Sequence, residues 1–161
     1  MYQLVCSDGY KHPSPETYIL DILPVASGLV ATASDQSLSL LDPLRLSQGP
    51  IRNIKTDHGN LTSARVYSAA DSIICTAGEK GTVSVWDLRL APANARALQI
   101  GGNLPSLLSL ACTNETNTVA AGTELANHQA SILIWDLRSP SAPKTQYNDL
   151  HSDDITELTR Y

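Results

Sequence analysis

Two short runs of the chain combine a histidine with neighbouring carboxylates. Asp57 precedes His58, and His151 is followed by Asp153 and Asp154. A carboxylate that orients an imidazole can make it a general base, so both runs are candidates for acid–base chemistry. The sequence nevertheless carries no Gly-rich phosphate loop, no paired-cysteine metal spacing and no nucleophile elbow. It therefore predicts a protein that is not an enzyme and that holds no cofactor or metal ion.

The three cysteines are also candidates for chemistry. Cys6, Cys75 and Cys112 are odd in number and widely spaced, and the last two fall inside strand-like runs. This pattern favours buried thiols over disulfide bridges or metal ligands.

A repeated tetrapeptide identifies the elements that position these residues. Trp-Asp-Leu-Arg occurs at residues 86–89 and 135–138, and each copy ends an apolar run of strand length. The first run alternates apolar and polar residues, as a half-buried strand does, and the second is more continuously apolar. A weaker copy ends at Asp42, with Leu41 in the tryptophan position. The copies recur at intervals of roughly 45 to 50 residues, which indicates a repeat array.

A repeat of this length with Trp-Asp at the end of a strand is typical of β-propeller blades, and the chain resembles the WD repeat family. The resemblance implies an all-β fold, a partial propeller of about three blades plus the first strand of a fourth. We expect a single incomplete domain over residues 1–161. Its blades cover about residues 18–56, 57–101 and 102–148, and another starts at 149–161.

Longer strings are similar to the WD repeat-containing protein 89 group. They are residues 121–124, 134–138 and 151–156, whose order and spacing fit that group. Its members look like complete propellers of about twice this length, so the resemblance implies an N-terminal portion. Closing the ring would then require further blades or self-association.

The resemblance also implies a structural role for the histidines. In WD repeats a buried hydrogen-bond chain joins a His before the innermost strand, a Ser or Thr, a turn Asp and the Trp indole. In the middle blade Gly78 and Lys80 occupy the Ser and Asp positions, so we expect that network to be broken. The residues assigned to the structural blade motif are His58, Trp86, Asp87, Trp135, Asp136, His151 and Asp153.

Two features are candidates for protein binding. The first is the enlarged loop over residues 123–130, with Glu124, Leu125 and His128, for which the alternative is a solvated insertion. The second is the arginine that ends each repeat, Arg89 and Arg138. Substrate receptors of cullin-4-type ubiquitin ligases resemble one another in a Trp-Asp-x-Arg ending that engages the ligase adaptor. The alternative is that these arginines anchor their own loops.

Composition narrows the class of partner. The net charge of −5 and the pI near 5.2 disfavour a broad nucleic-acid-binding surface. The sequence has neither a membrane-spanning apolar run nor a basic-plus-apolar signal, so we expect no membrane association and a cytoplasmic or nuclear location. The sequence predicts a non-enzymatic protein–protein interaction scaffold, with a ubiquitin-ligase adaptor as one possible partner. The alternatives are a chromatin- or RNA-associated scaffold and, outside binding proteins, a hydrolase.

Overall fold

The computed structural model describes residues 9–10, 14–148 and 152–159. Within them the chain forms three four-stranded antiparallel sheets and two short 3-10 turns, with no α-helix. This confirms the predicted all-β fold class. None of the helical turns in these residues is long and apolar enough to cross a membrane.

Each sheet is built from four strands that are consecutive in the chain. The first sheet contains β1 (Ile19–Val25), β2 (Gly28–Ala33), β3 (Ser37–Leu41) and β4 (Arg52–Lys55). The second contains β5 (Leu61–Ser68), β6 (Ile73–Gly78), β7 (Thr82–Asp87) and β8 (Arg96–Gly101). The third contains β9 (Leu107–Thr113), β10 (Thr118–Thr123), β11 (Ser131–Asp136) and β12 (Thr145–Asn148). Each sheet lies within one of the predicted blade ranges, while the grouping into a single incomplete domain stays a prediction.

The sheets pack face to face in chain order, because each has apolar side chains on the face that meets its neighbour. Trp86 belongs to the core between the first and second sheets, and Trp135 to the core between the second and third. Full burial of a side chain such as Leu or Ile contributes roughly 1.5–3 kcal/mol relative to its exposure. The first core contains Leu23, Val30, Leu38, Leu40, Ile54, Leu61, Ala64 and Ile74 beside Trp86, and the second contains Val83, Val85, Ile100, Leu107, Leu110, Val119 and Leu133 beside Trp135.

Antiparallel pairing divides the loops between two ends of the sheets. The turns after the first strand and the loops after the third strand of each sheet lie together at what we call the Trp-Asp end. It comprises residues 26–27, 42–51, 69–72, 88–95, 114–117 and 137–144. The opposite end comprises residues 34–36, 56–60, 79–81, 102–106 and 124–130.

Residues 152–159 dock on the third sheet without forming a strand. The Ile155 amide donates to the Thr123 carbonyl oxygen at 3.1 Å, and Ser109 Oγ donates to the Ile155 carbonyl oxygen at 2.6 Å. Ile155 is only 8% exposed and lies against Gly122, which has no Cβ to obstruct it. The sequence predicted the first strand of a fourth blade here. A strand needs a continuous ladder, and these isolated contacts with Thr123 of β10 and Ser109 of β9 do not provide one.

Candidate functional site

A buried hydrogen-bond network lies in the second sheet. His58 is 0% exposed, and its Nδ1 lies 2.7 Å from Thr82 Oγ1. Its Nε2 lies 2.8 Å from Thr76 Oγ1, which also accepts a hydrogen bond from Trp86 Nε1 at 2.7 Å. The network therefore joins the loop before β5 to strands β6 and β7.

The chemistry of the indole fixes the direction of one of these hydrogen bonds, and the other two depend on the tautomer of His58. An indole N–H can only donate, so Thr76 Oγ1 accepts from Trp86 and can pass its own proton toward His58 Nε2. In the tautomer that accepts this proton, His58 Nδ1 carries the ring proton and donates to Thr82. This pattern requires a neutral imidazole, and burial lowers the pKa of His58 to about 4.

The prediction of a broken network in the middle blade is wrong. The repeat pattern placed the hydroxyl at position 78, but Thr76 supplies it. The pattern placed an acidic partner of His58 at position 80, but Thr82 is the partner in the structure. Thr76 and Gly78 lie on the same face of β6, because side chains alternate along a strand. A Cβ at Gly78 would lie 2.5 Å from the Cβ of His58, so a residue without a side chain lets the His58 loop approach. Strand alternation was the signal that could have identified Thr76.

Asp57 does not orient His58 for acid–base chemistry. Both oxygens of its carboxylate accept from Arg96 Nη1 at 2.7 Å. This hydrogen bond lowers the pKa of Asp57. The Arg96 guanidinium also lies 5.7 Å from the centre of the Trp86 ring, in a cation–π contact. Arg96, which sequence reasoning missed, therefore holds Asp57 away from the imidazole.

The second candidate pair is only partly within the described residues, because His151 lies outside them. Asp153 Oδ1 accepts from the Asp154 amide at 2.8 Å, and Asp154 Oδ1 accepts from the Leu125 amide at 2.6 Å. Both carboxylates thus stabilise local backbone at the opposite end.

Among the residues that the structure describes, the third sheet has no equivalent of the His58 network. Trp135 faces Val119 in the strand register as Trp86 faces Ile74, which makes Ala121 the counterpart of Thr76. Trp135 is 1% exposed and borders a cavity of about 200 Å³ together with Asn103, Leu104 and Pro143. The two tryptophans therefore occupy the same repeat position in different surroundings.

The two repeat arginines fold back on the aspartate of their own motif. Arg89 Nε and Nη2 donate to the two oxygens of Asp87 at 2.9 and 2.7 Å, and its backbone amide donates to Asp87 Oδ1 at 3.0 Å. Arg138 makes the same three contacts with Asp136, with Nε at 2.8 Å from Oδ1. The arginine hydrogen bonds lower the pKa of both aspartates. Each Trp-Asp-Leu-Arg segment is thus a closed turn.

These arginines remain exposed despite the contacts. The side chain of Arg89 is 54% exposed and that of Arg138 is 67% exposed. Both lie at the Trp-Asp end, where Arg89 Nη1 also approaches Asp71 Oδ1 at 3.5 Å.

The enlarged loop forms a tight hairpin at the opposite end. Ala126 and Gln129 exchange two backbone hydrogen bonds of 3.0 Å around Asn127 and His128. Both central residues have positive φ, at 52° and 65°, as in a type I′ turn, which places His128 at the exposed tip.

The other two predicted loop residues differ in role. The Glu124 amide donates to the Ser106 carbonyl oxygen at 2.9 Å, and Glu124 Oε1 accepts from the Ser106 amide at 3.2 Å, so Glu124 anchors the start of β9. Leu125 is 37% exposed. The structure therefore brings Leu125 and His128 to one surface but does not bring them together with the repeat arginines.

A cavity of about 250 Å³ lies beside the first strands of the sheets, and sequence reasoning missed it. Arg65 borders it and lies 3.9 Å from Asp21, which is too long for a hydrogen bond. Thr62, Leu108 and Thr156 complete a mixed polar and apolar wall. No motif marks these positions, because strands that are distant in sequence form the cavity.

Comparison with known proteins gives relatives but no matching family model. An uncharacterized WD repeat-containing protein of Schizosaccharomyces pombe is 31% identical over 143 residues, which are 89% of this chain and 42% of that protein. Target of rapamycin complex subunit LST8 of Saccharomyces cerevisiae is 31% identical over 85 residues, which are 53% of this chain and 27% of that protein. The chain spans less than half the length of these two relatives.

Solved structures show the same fold. A chain in the crystal structure of the Mitotic Checkpoint Complex matches 89% of this chain and 40% of its own length, with a TM-score of 0.71 and 18% identity. The computationally designed protein Ika4 matches all of this chain and 88% of its own length, with a TM-score of 0.71 and 19% identity. Both are β-propellers.

Proposed function

Because this chain belongs to the WD repeat family and its three sheets are β-propeller blades, we propose that it is a non-enzymatic scaffold for protein–protein interactions. The first candidate pair for acid–base chemistry has structural partners, since both nitrogens of His58 face threonine hydroxyls and Asp57 binds Arg96. By its name LST8 is a subunit of a larger complex, and the structural neighbour belongs to the Mitotic Checkpoint Complex. Assembly with other proteins, in the cytoplasm or the nucleus, is the role we propose for this chain.

The Trp-Asp end is the surface we propose for a partner, and the exposed arginines support this choice. Asp87 and Asp136 hold one edge of each guanidinium, so Arg89 and Arg138 are oriented before any partner arrives. Orientation in advance lowers the entropy lost on binding. A bidentate contact along one edge still leaves N–H groups for a second acceptor. Specifically, we propose that this chain is a substrate receptor whose two arginines engage a cullin-4-type ligase adaptor.

Titration of the chain with the purified adaptor tests the specific form. We expect Arg89→Ala combined with Arg138→Ala to weaken binding at least about tenfold, because arginines at interface centres are frequent hot spots. Arg45→Ala is the matched control, since Arg45 is 68% exposed, lies at the same end and faces Asp42 at 4.0 Å outside a Trp-Asp-Leu-Arg motif. A native chain that does not bind the adaptor would overturn the ligase form.

The broader scaffold proposal has a separate test. Proximity labelling in cells would compare the native chain with the double arginine variant and with a hairpin variant, Leu125→Ala combined with His128→Ala. We expect the double arginine variant or the hairpin variant to lose a defined set of labelled proteins. The Arg45→Ala variant should still label that set. Identical labelling by all four chains would contradict a scaffold role for either surface.

We propose a second copy of this chain as a further partner, and exposed apolar side chains on the first sheet support this proposal. Tyr18, Leu20 and Ile22 are 66%, 46% and 52% exposed. Apolar groups of this size in one region are typical of surfaces that are covered by another protein segment. Light scattering on the 161-residue chain would show a dimer if a second copy covers them, and a stable monomer would contradict this proposal.

A further inference from the structure

Two cysteines lie next to each other at the interface between the second and third sheets. Cys75 on β6 is 0% exposed and belongs to the core that the two sheets share, and the half-buried Cys112 on β9 packs against that core. Cys112 Sγ donates to the Val66 carbonyl oxygen at 3.4 Å. The residue before Val66 is Arg65, which lies directly opposite Cys75 in the register of β5 and β6. The two thiols are thus neighbours across the interface, and each shifts the pKa of the other.

Only one of the two thiols borders open space. A cavity of about 290 Å³ is lined by Arg65, Cys112, Glu157 and Leu158, among others. Cys75 is fully buried and does not line this cavity. A small oxidant that enters the cavity therefore meets Cys112 first.

The surroundings also make the two thiols chemically different. The hydrogen bond from Cys75 lowers the pKa of Cys112, and the positive charge of Arg65 acts in the same direction. The same hydrogen bond and burial raise the pKa of Cys75. Burial of Cys112 acts in the opposite direction, but its pKa is lowered overall. Of the two thiols, Cys112 therefore loses its proton more readily, and its proton is the one that it shares with the Val66 carbonyl oxygen.

We propose that Cys112 is a peroxide-reactive cysteine and that Cys75 resolves its oxidised form, so that a hydroperoxide converts the pair into a disulfide between the second and third sheets. The arrangement has the two parts of a redox-sensing pair, an accessible thiolate and a second thiol within reach. The oxidant is a hydroperoxide, of which hydrogen peroxide is the simplest.

The reaction proceeds in two balanced steps. The Cys112 thiolate attacks one oxygen of hydrogen peroxide, the O–O bond breaks, and hydroxide leaves and takes up a proton to become water. Cys112 is now a sulfenic acid. The sulfur of Cys75 then attacks the sulfur of Cys112, the S–O bond breaks, and the departing hydroxide takes the proton of the Cys75 thiol. In sum, two thiols and one hydrogen peroxide give one disulfide and two molecules of water.

Peptide mass spectrometry can follow this reaction in the 161-residue chain, because its three cysteines fall in three tryptic peptides, residues 1–11, 66–80 and 97–138. We expect hydrogen peroxide to link peptide 66–80 to peptide 97–138. The Cys75→Ser variant should accumulate a Cys112 sulfenic acid that dimedone traps, and the Cys112→Ser variant should leave Cys75 unmodified. Cys6→Ser is the matched control and should form the same link as the native chain.

The folded structure must be the cause of the selectivity. In the native chain we expect iodoacetamide to label Cys112 at least about tenfold faster than Cys75, and in urea the two rates should converge. This comparison remains informative if a serine variant fails to fold. The proposal is overturned if peroxide leaves Cys112 reduced, if the sulfenic acid persists in the native chain without a link to Cys75, or if Cys6 supplies the resolving thiol.

Discussion

The rings of His58 and Trp86 stand edge to face, with centroids 6.3 Å apart and planes inclined by 75°. Thr76 Oγ1 lies between them and receives the indole N–H at 2.7 Å. This relationship fixes the loop before β5 against the two central strands of its own sheet. It holds this loop in place although Lys80 stands where the repeat pattern expects an aspartate.

Thr76 is expected to be the residue on which this network depends. Thr76→Val keeps the shape of the side chain but leaves Trp86 Nε1 and His58 Nε2 buried without their partner. We expect the free energy of unfolding to fall by about 2 to 6 kcal/mol, since each of the two unsatisfied buried groups costs roughly 1–3 kcal/mol. Denaturant titration measures the change. Thr76→Ser retains the hydroxyl and should recover most of the loss, and equal losses in both variants would show that the hydroxyl is not the cause.

His58 should make stability depend on pH in a defined window. Its pKa falls from 6.5 in the unfolded chain to about 4 in the folded protein because of burial. The unfolded chain therefore binds more protons between these values, and stability decreases as pH falls from about 6.5 toward 4. Neutral His58 contributes about 3 kcal/mol to the free energy of unfolding. This contribution is complete above pH 6.5 and is lost as pH falls toward 4. Urea titrations at intervals across this window would measure it.

The matched comparison for this pH effect is His58→Gln, which has no titratable ring. The difference in unfolding free energy between the native chain and this variant should narrow as pH falls from 6.5. Aspartates with lowered pKa values, such as Asp57 and Asp87, also lose stability in acid, but they remain in both chains and cancel in the difference. A difference that stays constant over the window would contradict a neutral buried His58.

Ser84 is expected to tolerate, and even benefit from, loss of its hydroxyl. Within the described part of the chain, Ser84 Oγ is the buried side-chain oxygen that lacks a hydrogen-bond partner. Burial of an unpaired hydroxyl is unfavourable, so Ser84→Ala should raise the free energy of unfolding by roughly 1 kcal/mol. Thermal and urea unfolding of the two chains would measure this. A clear loss of stability would mean that the hydroxyl is hydrogen-bonded in solution.

Gly122 should control the docking of residues 152–159. A Cβ at this position would lie 2.3 Å from Ile155 Cγ2 and 2.5 Å from Ser109 Oγ, which is closer than atoms can approach. Gly122→Ala should therefore displace Ile155 and expose its amide, which donates to Thr123 in the native chain. Hydrogen–deuterium exchange should become faster in the peptide that contains Ile155. Gly9→Ala, where a Cβ meets nothing within 4 Å, is the control and should leave exchange unchanged.

Part of the candidate site followed from the sequence because it is local. Arg89 contacts Asp87, two residues earlier, and Arg138 contacts Asp136 with the same geometry. The two-residue spacing is consistent with the interpretation that these arginines anchor their own loops. The hairpin at Asn127 and His128 lies within the loop that the sequence marked as enlarged. Contacts over two or three residues depend on backbone conformation that the local sequence encodes.

The sequence by itself determined the repeat, the three sheets and the all-β class, because side-chain alternation and turn residues are local properties of the chain. Only the tertiary structure decided which side chains meet. Thr76 and Thr82 replaced the expected partners of His58, Arg96 took Asp57 away from it, and Cys75 came next to Cys112. These contacts depend on strand register and on how one sheet packs against the next. A change of one residue in register reverses the face of every side chain, and the repeat period alone does not specify that choice.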